Sequence, residues 1–298
     1  MLHTLAYDRY VRALMMHRSI VIMCLIALVA SSATAQPELK TRAIGSLKAL
    51  SLADTDVLRD SLNTVLKADM RALLDNDESF GRNYDSLPMS RVDAPDNAFR
   101  LFTWNVPHED GTHLYEGFLL VNAGKKQQLF ELHDWTKGTP SPELRELGPD
   151  KWYGALYYQV IPVIKGGTTF YTLLGWKGYS KAETRKVIEV LSFRNGKPHF
   201  GAPFFGKGKL KQVRKIYAFS AQSTMSLRYM PEMEAILLDH LSPSKPDMVG
   251  QPAFYGPDMT QDAFFWYKGG WWYEADIDAK DPKANLKIFN APQRGVKP

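Results

Sequence analysis

The chain of 298 residues contains one cysteine, Cys24. A single thiol excludes an intramolecular disulfide, a Cys-ligated zinc site and an iron–sulfur cluster. Long hydrophobic runs are also scarce. The run Ile20 to Ala30 has eleven residues, and a membrane-spanning helix needs about 20. Neither charge sign dominates: 37 Lys and Arg face 32 Asp and Glu, a net charge of +5. That bias is too weak to argue for nucleic acid as a partner. There is no G-x-S-x-G and no H-E-x-x-H, so two motifs that announce a serine nucleophile or a catalytic zinc are missing.

What is present is ordinary for a globular chain: 45% apolar and 23% charged residues. That composition excludes a disordered chain, a coiled coil and a collagen-like repeat. Aromatic residues make up 12%, with seven Trp.

His17 and Arg18 precede the Ile20–Ala30 run, and Ser31, Ser32, Ala33, Thr34 and Ala35 follow it. A basic stretch, a short apolar core and a small-residue A-x-A exit predict a secretory signal peptide over 1–35. The stretch before it is long, so a start at Met15 or Met16 fits the pattern better. Cleavage leaves 263 residues from Gln36 onward, with a net charge of +3 and no cysteine. Such a chain must be stable through its core alone, and its length allows that. The expected location is periplasmic or extracellular in a Gram-negative bacterium, with no membrane span after cleavage.

Residues 37–50 read as a mobile lead-in. Leu58, Leu62, Val65, Leu66, Met70, Leu73 and Leu74 are spaced by threes and fours, which predicts an amphipathic helix over 52–75 capped by Asp54 or Thr55. Residues 76–97 are rich in turn formers and read as a connection. From Ala98 the pattern changes to short runs of Val, Ile, Phe, Tyr, Trp and Thr separated by Gly, Asn, Asp and Pro. Strands are predicted near 98–106, 113–121, 127–134, 153–164, 168–176, 185–193, 213–220, 224–230, 234–240, 261–268 and 271–276. Gly166-Gly167, Asn195-Gly196 and Gly269-Gly270 supply the positive φ that tight hairpins need. Long loops are expected at 136–151 and 241–259. The expected fold is mainly β, with antiparallel sheets in a sandwich-like or twisted-meander arrangement and one N-terminal amphipathic helix. Its divisions are 1–35, a signal peptide; 36–97, a helical segment and connection; and 98–298, an antiparallel β-domain.

The densest feature is the aromatic hairpin Ala263 to Tyr273. With Gly269-Gly270 as the turn, Lys268 opposes Trp271, Tyr267 opposes Trp272 and Trp266 opposes Tyr273. Opposed residues share a face and faces alternate. One face then carries Phe264, Trp266, Lys268, Trp271 and Tyr273, and the other Phe265, Tyr267 and Trp272. One face is expected to be core, and the other a platform of rings that stacks on a sugar face or a protein. Trp266, Tyr267, Trp271, Trp272 and Tyr273 are therefore the candidate binding residues.

The remaining constellations are thinner. His108, Glu109 and His113 sit at a loop tip and carry metal-ligating groups, but at no recognised spacing; the expectation is no metal and no cofactor. The carboxylate run Asp276 to Asp281 has Asp281 and Lys287 where a calcium loop of the EF-hand type has Gly and Glu, and reads as a solvated turn. His133-Asp134 and Asp239-His240 are strand-end pairs that could orient an imidazole for base catalysis. Lys207, Lys209 and Lys211 alternate as they do on an exposed strand edge, where lysines block pairing with another chain.

Several stretches together, Asp96 to Trp104, Leu173 to Trp176, Lys186 to Leu191, Asp239 to Pro243 and Gly256 to Asp258 before the hairpin, resemble a family of exported Bacteroidota proteins to which no activity is assigned. The resemblance covers most of 55–280. It implies export and one continuous domain and transfers no catalytic residue. The functional expectation is an exported, non-enzymatic binding or assembly module that contacts an envelope protein or glycan through its aromatic surface. The alternative is a hydrolase of envelope carbohydrate or peptide, which needs two of His108, Glu109, His113, His133 and Asp134 within hydrogen-bond reach.

Overall fold

The structure, a computed structural model, describes residues 37–124, 126–206 and 211–278. The segment read as a signal peptide, Lys207 and Lys209, and the end of the carboxylate run from residue 279 lie outside the described residues. Lys211 stands exposed ahead of a strand.

The expected mobile lead-in is a helix, α1, over residues 37–52. Its apolar residues Ala43, Leu47 and Leu50 are spaced by four and three, and all are buried. The predicted helix follows as α2 (Asp56–Leu74), with the Thr55 hydroxyl accepting the Leu58 amide at its start. The described residues thus hold two α-helices where one was expected. The buried stripe of α2 runs through Asn63, Leu66, Asp69, Met70, Leu73 and Leu74, while Leu58 and Val65 are exposed. The stripe is rotated because polar pairs dock the helix. Lys67 bridges Glu116 at 2.7 Å and Glu131 at 2.9 Å, and Asn63 joins Glu116 to the Trp104 indole.

The first sheet has the order β1 (Ser90–Asp93), β2 (Phe99–Pro107), β3 (His113–Asn122), β4 (Gln127–His133), all antiparallel. It begins inside the segment read as a connection. The second sheet comprises β5 (Leu156–Lys165), β6 (Thr168–Gly178), β7 (Glu183–Arg194) and β8 (Lys197–Phe200), with β9 (Arg214–Ser220) also pairing β7. The third has the order β10 (Leu227–Met230), β11 (Ala235–Pro243), β12 (Tyr255–Tyr267), β13 (Gly270–Glu274). The predicted strands are all found. Only the four-residue β1 and β8 went unforeseen, and β11 and β12 extend into the loop expected at 241–259.

Period-two alternation explains the layering. On β2, Phe102, Trp104 and Val106 pack on the helices, while Phe99 and Leu101 face the second sheet. On β6 and β7, Leu173, Val187 and Leu191 face the first sheet, while Leu174, Ile188 and Val190 face the third. The order of layers is helices, first sheet, second sheet, third sheet. The second sheet is covered on both faces, so its strands carry near-continuous apolar runs. Gly175 lets the backbone approach Tyr157, since a Cβ there would sit 3.0 Å from that ring. No helix among the described residues is long and apolar enough to cross a membrane.

Candidate functional site

The aromatic hairpin folds with Lys268 and Gly269 as its two turn residues, both at positive φ (48° and 72°). Tyr267 pairs with Gly270, Trp266 with Trp271, Phe265 with Trp272 and Phe264 with Tyr273. The register expected from a Gly269-Gly270 turn is off by two residues. A shift of two preserves the faces, whereas a shift of one would exchange them.

The hairpin is split between anchor and display. Trp271 is 2% exposed, and its indole donates to the Thr172 hydroxyl of the second sheet at 2.9 Å. Phe264 and Phe265 are also buried. Trp266 is half-buried against Phe204 and Trp271, with ring centroids 5.1 and 5.3 Å away. Trp271 and Trp266 therefore belong to the packing. Tyr267 (37%), Trp272 (36%) and Tyr273 (50%) are exposed. Tyr267 and Trp272 meet edge-to-face at 6.1 Å on the outer face, and Tyr273 lies on the inner face.

A polar line runs from Tyr273 along β12. Its phenol donates to Asp262 Oδ2 at 2.7 Å, and the same oxygen meets His240 Nδ1 at 2.9 Å. The Asp276 amide donates to Asp262 Oδ1. Asp262 is 3% exposed, so a buried carboxylate fixes an exposed ring and a half-exposed imidazole. That hydrogen bond raises the His240 pKa, and burial together with Asp262 raises that of Tyr273. Beyond His240 the line reaches Asp258, whose carboxylate accepts from the Ser242 hydroxyl at 2.6 Å and from Thr260. These bonds hold Asp258 down at about 2. Asp258 borders a cleft of about 530 Å³ between the turn after β9, the end of β11 and the start of β12.

His240 was paired in the sequence with its neighbour Asp239, but adjacent residues of a strand point to opposite faces. Asp239 instead caps the Ser226 amide, and the partner of His240 comes from the next strand. Ser242 and Lys245 have the S-x-x-K spacing of acyl-transfer enzymes. Ser242 lies on a strand rather than on a helix, and its hydroxyl is given to Asp258.

The other candidates stay apart. His108 faces Asp60 of α2 at 3.4 Å, and the Glu109 amide caps Asp56. His113 bonds Asn105 at 2.7 Å and packs on Tyr115 and Trp176; burial lowers its pKa. His133 lies 3.8 Å from Glu131, whereas Asp134 accepts from Thr136 and from the Tyr115 amide. No group of three His, Cys, Asp or Glu residues able to hold a metal occurs among the described residues.

Sequence inspection passed over a set of charges between the first and second sheets. Glu189 and Arg214 face each other in register on β7 and β9, both wholly buried and ion-paired. Tyr157 also donates to Glu189. Lys177 is 1% exposed and donates to Thr136 Oγ1, Tyr153 O and Gly154 O at 2.7–3.0 Å, with the Tyr115 ring face 4.0 Å away. These groups are sealed from solvent and hold the layers in register.

The chain matches no family model, no curated protein and no solved structure.

Proposed function

We propose that this is an exported binding module of a Gram-negative cell envelope, belonging to the Bacteroidota family it resembles, and that it holds a glycan on the β12–β13 hairpin. One observation carries the reading: the hairpin is clamped by buried Trp271, Phe264 and Phe265 while Tyr267, Trp272 and Tyr273 stand exposed. Rings ordered in advance lose little conformational freedom on binding. Their apolar faces suit the C–H face of a sugar, and their polar edges suit its hydroxyls. Beside Tyr273, the half-exposed imidazole of His240 adds a polar group for the same hydroxyls. Export rests on the signal-peptide pattern. It predicts a secreted chain that begins at Gln36, which N-terminal sequencing of the periplasmic and culture fractions checks.

The hydrolase alternative has one observation in its favour, the His240–Asp262 pair, which is how an enzyme orients a general base. It lacks an aligned nucleophile, since Ser242 donates to Asp258 instead.

The test contrasts the two halves of the hairpin. Trp272→Ala and Tyr273→Ala should each weaken retention on purified envelope polysaccharide at least tenfold. Trp272→Ala should keep the melting temperature within about 2 °C of the parent, whereas Tyr273→Ala also takes a donor from buried Asp262 and should cost about 1–3 kcal/mol. Trp271→Ala should cost about 3–5 kcal/mol of stability, the range for emptying a buried aromatic site. Undiminished retention by the Trp272 and Tyr273 variants would sink the reading. Release of reducing ends by the parent but not by His240→Ala would favour the hydrolase.

A further inference from the structure

We infer that the cleft at the start of β12 is a second sugar-binding subsite, shaped for one ring of a neutral or amino sugar. The inference rests on the glycan reading above and adds a contact remote from the hairpin rings. The cleft of about 530 Å³ is within the size range of small-ligand sites. Its chemistry is mixed in the way a sugar needs. Phe254 on the wall is 45% exposed and offers an apolar ring face. The lining also includes Ser223, Ser242 and Ser244, which carry hydroxyls, and Asp258, which carries a carboxylate.

Each polar group has capacity left. Asp258 takes one hydrogen bond on Oδ2, from Ser242, and two on Oδ1, both from Thr260. A carboxylate has about four lone-pair sites, so it can still accept a sugar hydroxyl. Ser242 has given its proton to Asp258, and its lone pairs remain to accept. The Ser223 and Ser244 hydroxyls carry no hydrogen bond among the described residues, although both backbone amides are bonded. The floor is kept low by Gly256, where a Cβ would come 3.1 Å from Ser223 Oγ.

Charge narrows the ligand class. Asp258 stays ionised at any physiological pH, and no Lys or Arg lines the cleft. A uronic acid or a phosphorylated sugar would meet the Asp258 carboxylate with no Lys or Arg in the lining to offset it; a neutral or amino sugar would not. Asp258 lies six and seven residues along the strand from Phe264 and Phe265, the partners of Tyr273 and Trp272, roughly 20–23 Å at about 3.3 Å per residue. A single sugar cannot touch both ends, and a glycan chain can.

The experiment uses the mature chain on an array of neutral, N-acetylated, amino and uronic oligosaccharides. Calorimetry follows with the tightest-bound oligosaccharide and with its constituent monosaccharide. Asp258→Asn and Ser244→Leu, both at exposed positions, should weaken the oligosaccharide at least tenfold and abolish monosaccharide binding, with unchanged melting temperature. Trp272→Ala should weaken the oligosaccharide and leave the monosaccharide unaffected. If the cleft variants bind as the parent does while Trp272→Ala fails, the subsite is overturned and the hairpin reading stands. The opposite pattern overturns the hairpin and keeps the cleft. A preference for uronic oligosaccharides, or no binding to any, overturns the subsite as stated.

Discussion

Arg214→Met is expected to destabilise the protein by about 3–5 kcal/mol, because it strands a buried charge. Glu189 and Arg214 are both fully buried, and the Arg214 side chain also donates to the carbonyls of Pro142, Arg145 and Phe200. Its removal leaves the Glu189 carboxylate with Tyr157 as a donor and takes a donor from three carbonyls, of which Phe200 keeps the Leu147 amide and Pro142 the Arg145 amide. For a chain of this length 1 kcal/mol corresponds to roughly 2–4 °C in Tm, so thermal unfolding should shift down by roughly 10 °C. Arg214→Lys keeps the charge and loses the fork that serves several acceptors at once, and should recover only part of the loss. The double variant Glu189→Gln, Arg214→Met removes both charges and should be more stable than Arg214→Met alone. A double-mutant cycle measures that coupling. A loss below about 1 kcal/mol for Arg214→Met would mean that the pair does not hold these layers together.

The same pair marks the limit of what the chain reveals before it folds. Strands were legible because β2, β3, β6 and β7 are short apolar runs and because Gly166-Gly167 and Asn195-Gly196 mark tight turns before β6 and after β7, both local properties. Glu189 and Arg214 look like the polar positions of a half-exposed strand. Their burial becomes evident only when the second sheet is known to be covered on both faces, which is long-range information. The hairpin faces were readable and its register was not, since either Lys268-Gly269 or Gly269-Gly270 makes a two-residue turn. The polar line along β12 was hidden for the same reason as the charge pair: His240 finds Asp262 across strands, 22 residues away. Helix α1 was the avoidable miss. Ala43, Leu47 and Leu50 already have helical spacing, but they lie in the short stretch 37–50 that reads as a mobile lead-in.

Lys177 should make stability rise with pH where most proteins are flat. Burial pushes its ammonium down to about 7 from an ordinary value near 10.4. Asp134 and Glu189 oppose that shift, and Arg185 and Arg214 add to it. Between about 7 and about 10 the unfolded chain holds a proton on this lysine that the folded chain has released. Stability then increases with pH, at most about 1.4 kcal/mol per pH unit for one proton. A neutral amine keeps two N–H donors for three acceptors, so one acceptor goes unserved at about 1–3 kcal/mol. Burying the unpaired charge costs more, and the neutral form prevails. Above about 10 the trend reverses, because burial raises the pKa of Tyr115, Tyr153 and Tyr157 and the unfolded chain ionises first. Lys177→Met should be less stable than the parent at pH 9, since Thr136, Tyr153 and Gly154 lose their donor. The gap should narrow toward pH 7, where the parent begins to bear the cost of the charge. Urea unfolding of both chains from pH 6 to pH 10 checks this. Parallel profiles would show that Lys177 keeps its proton throughout and that its three oxygen partners suffice to hold a charge inside the fold.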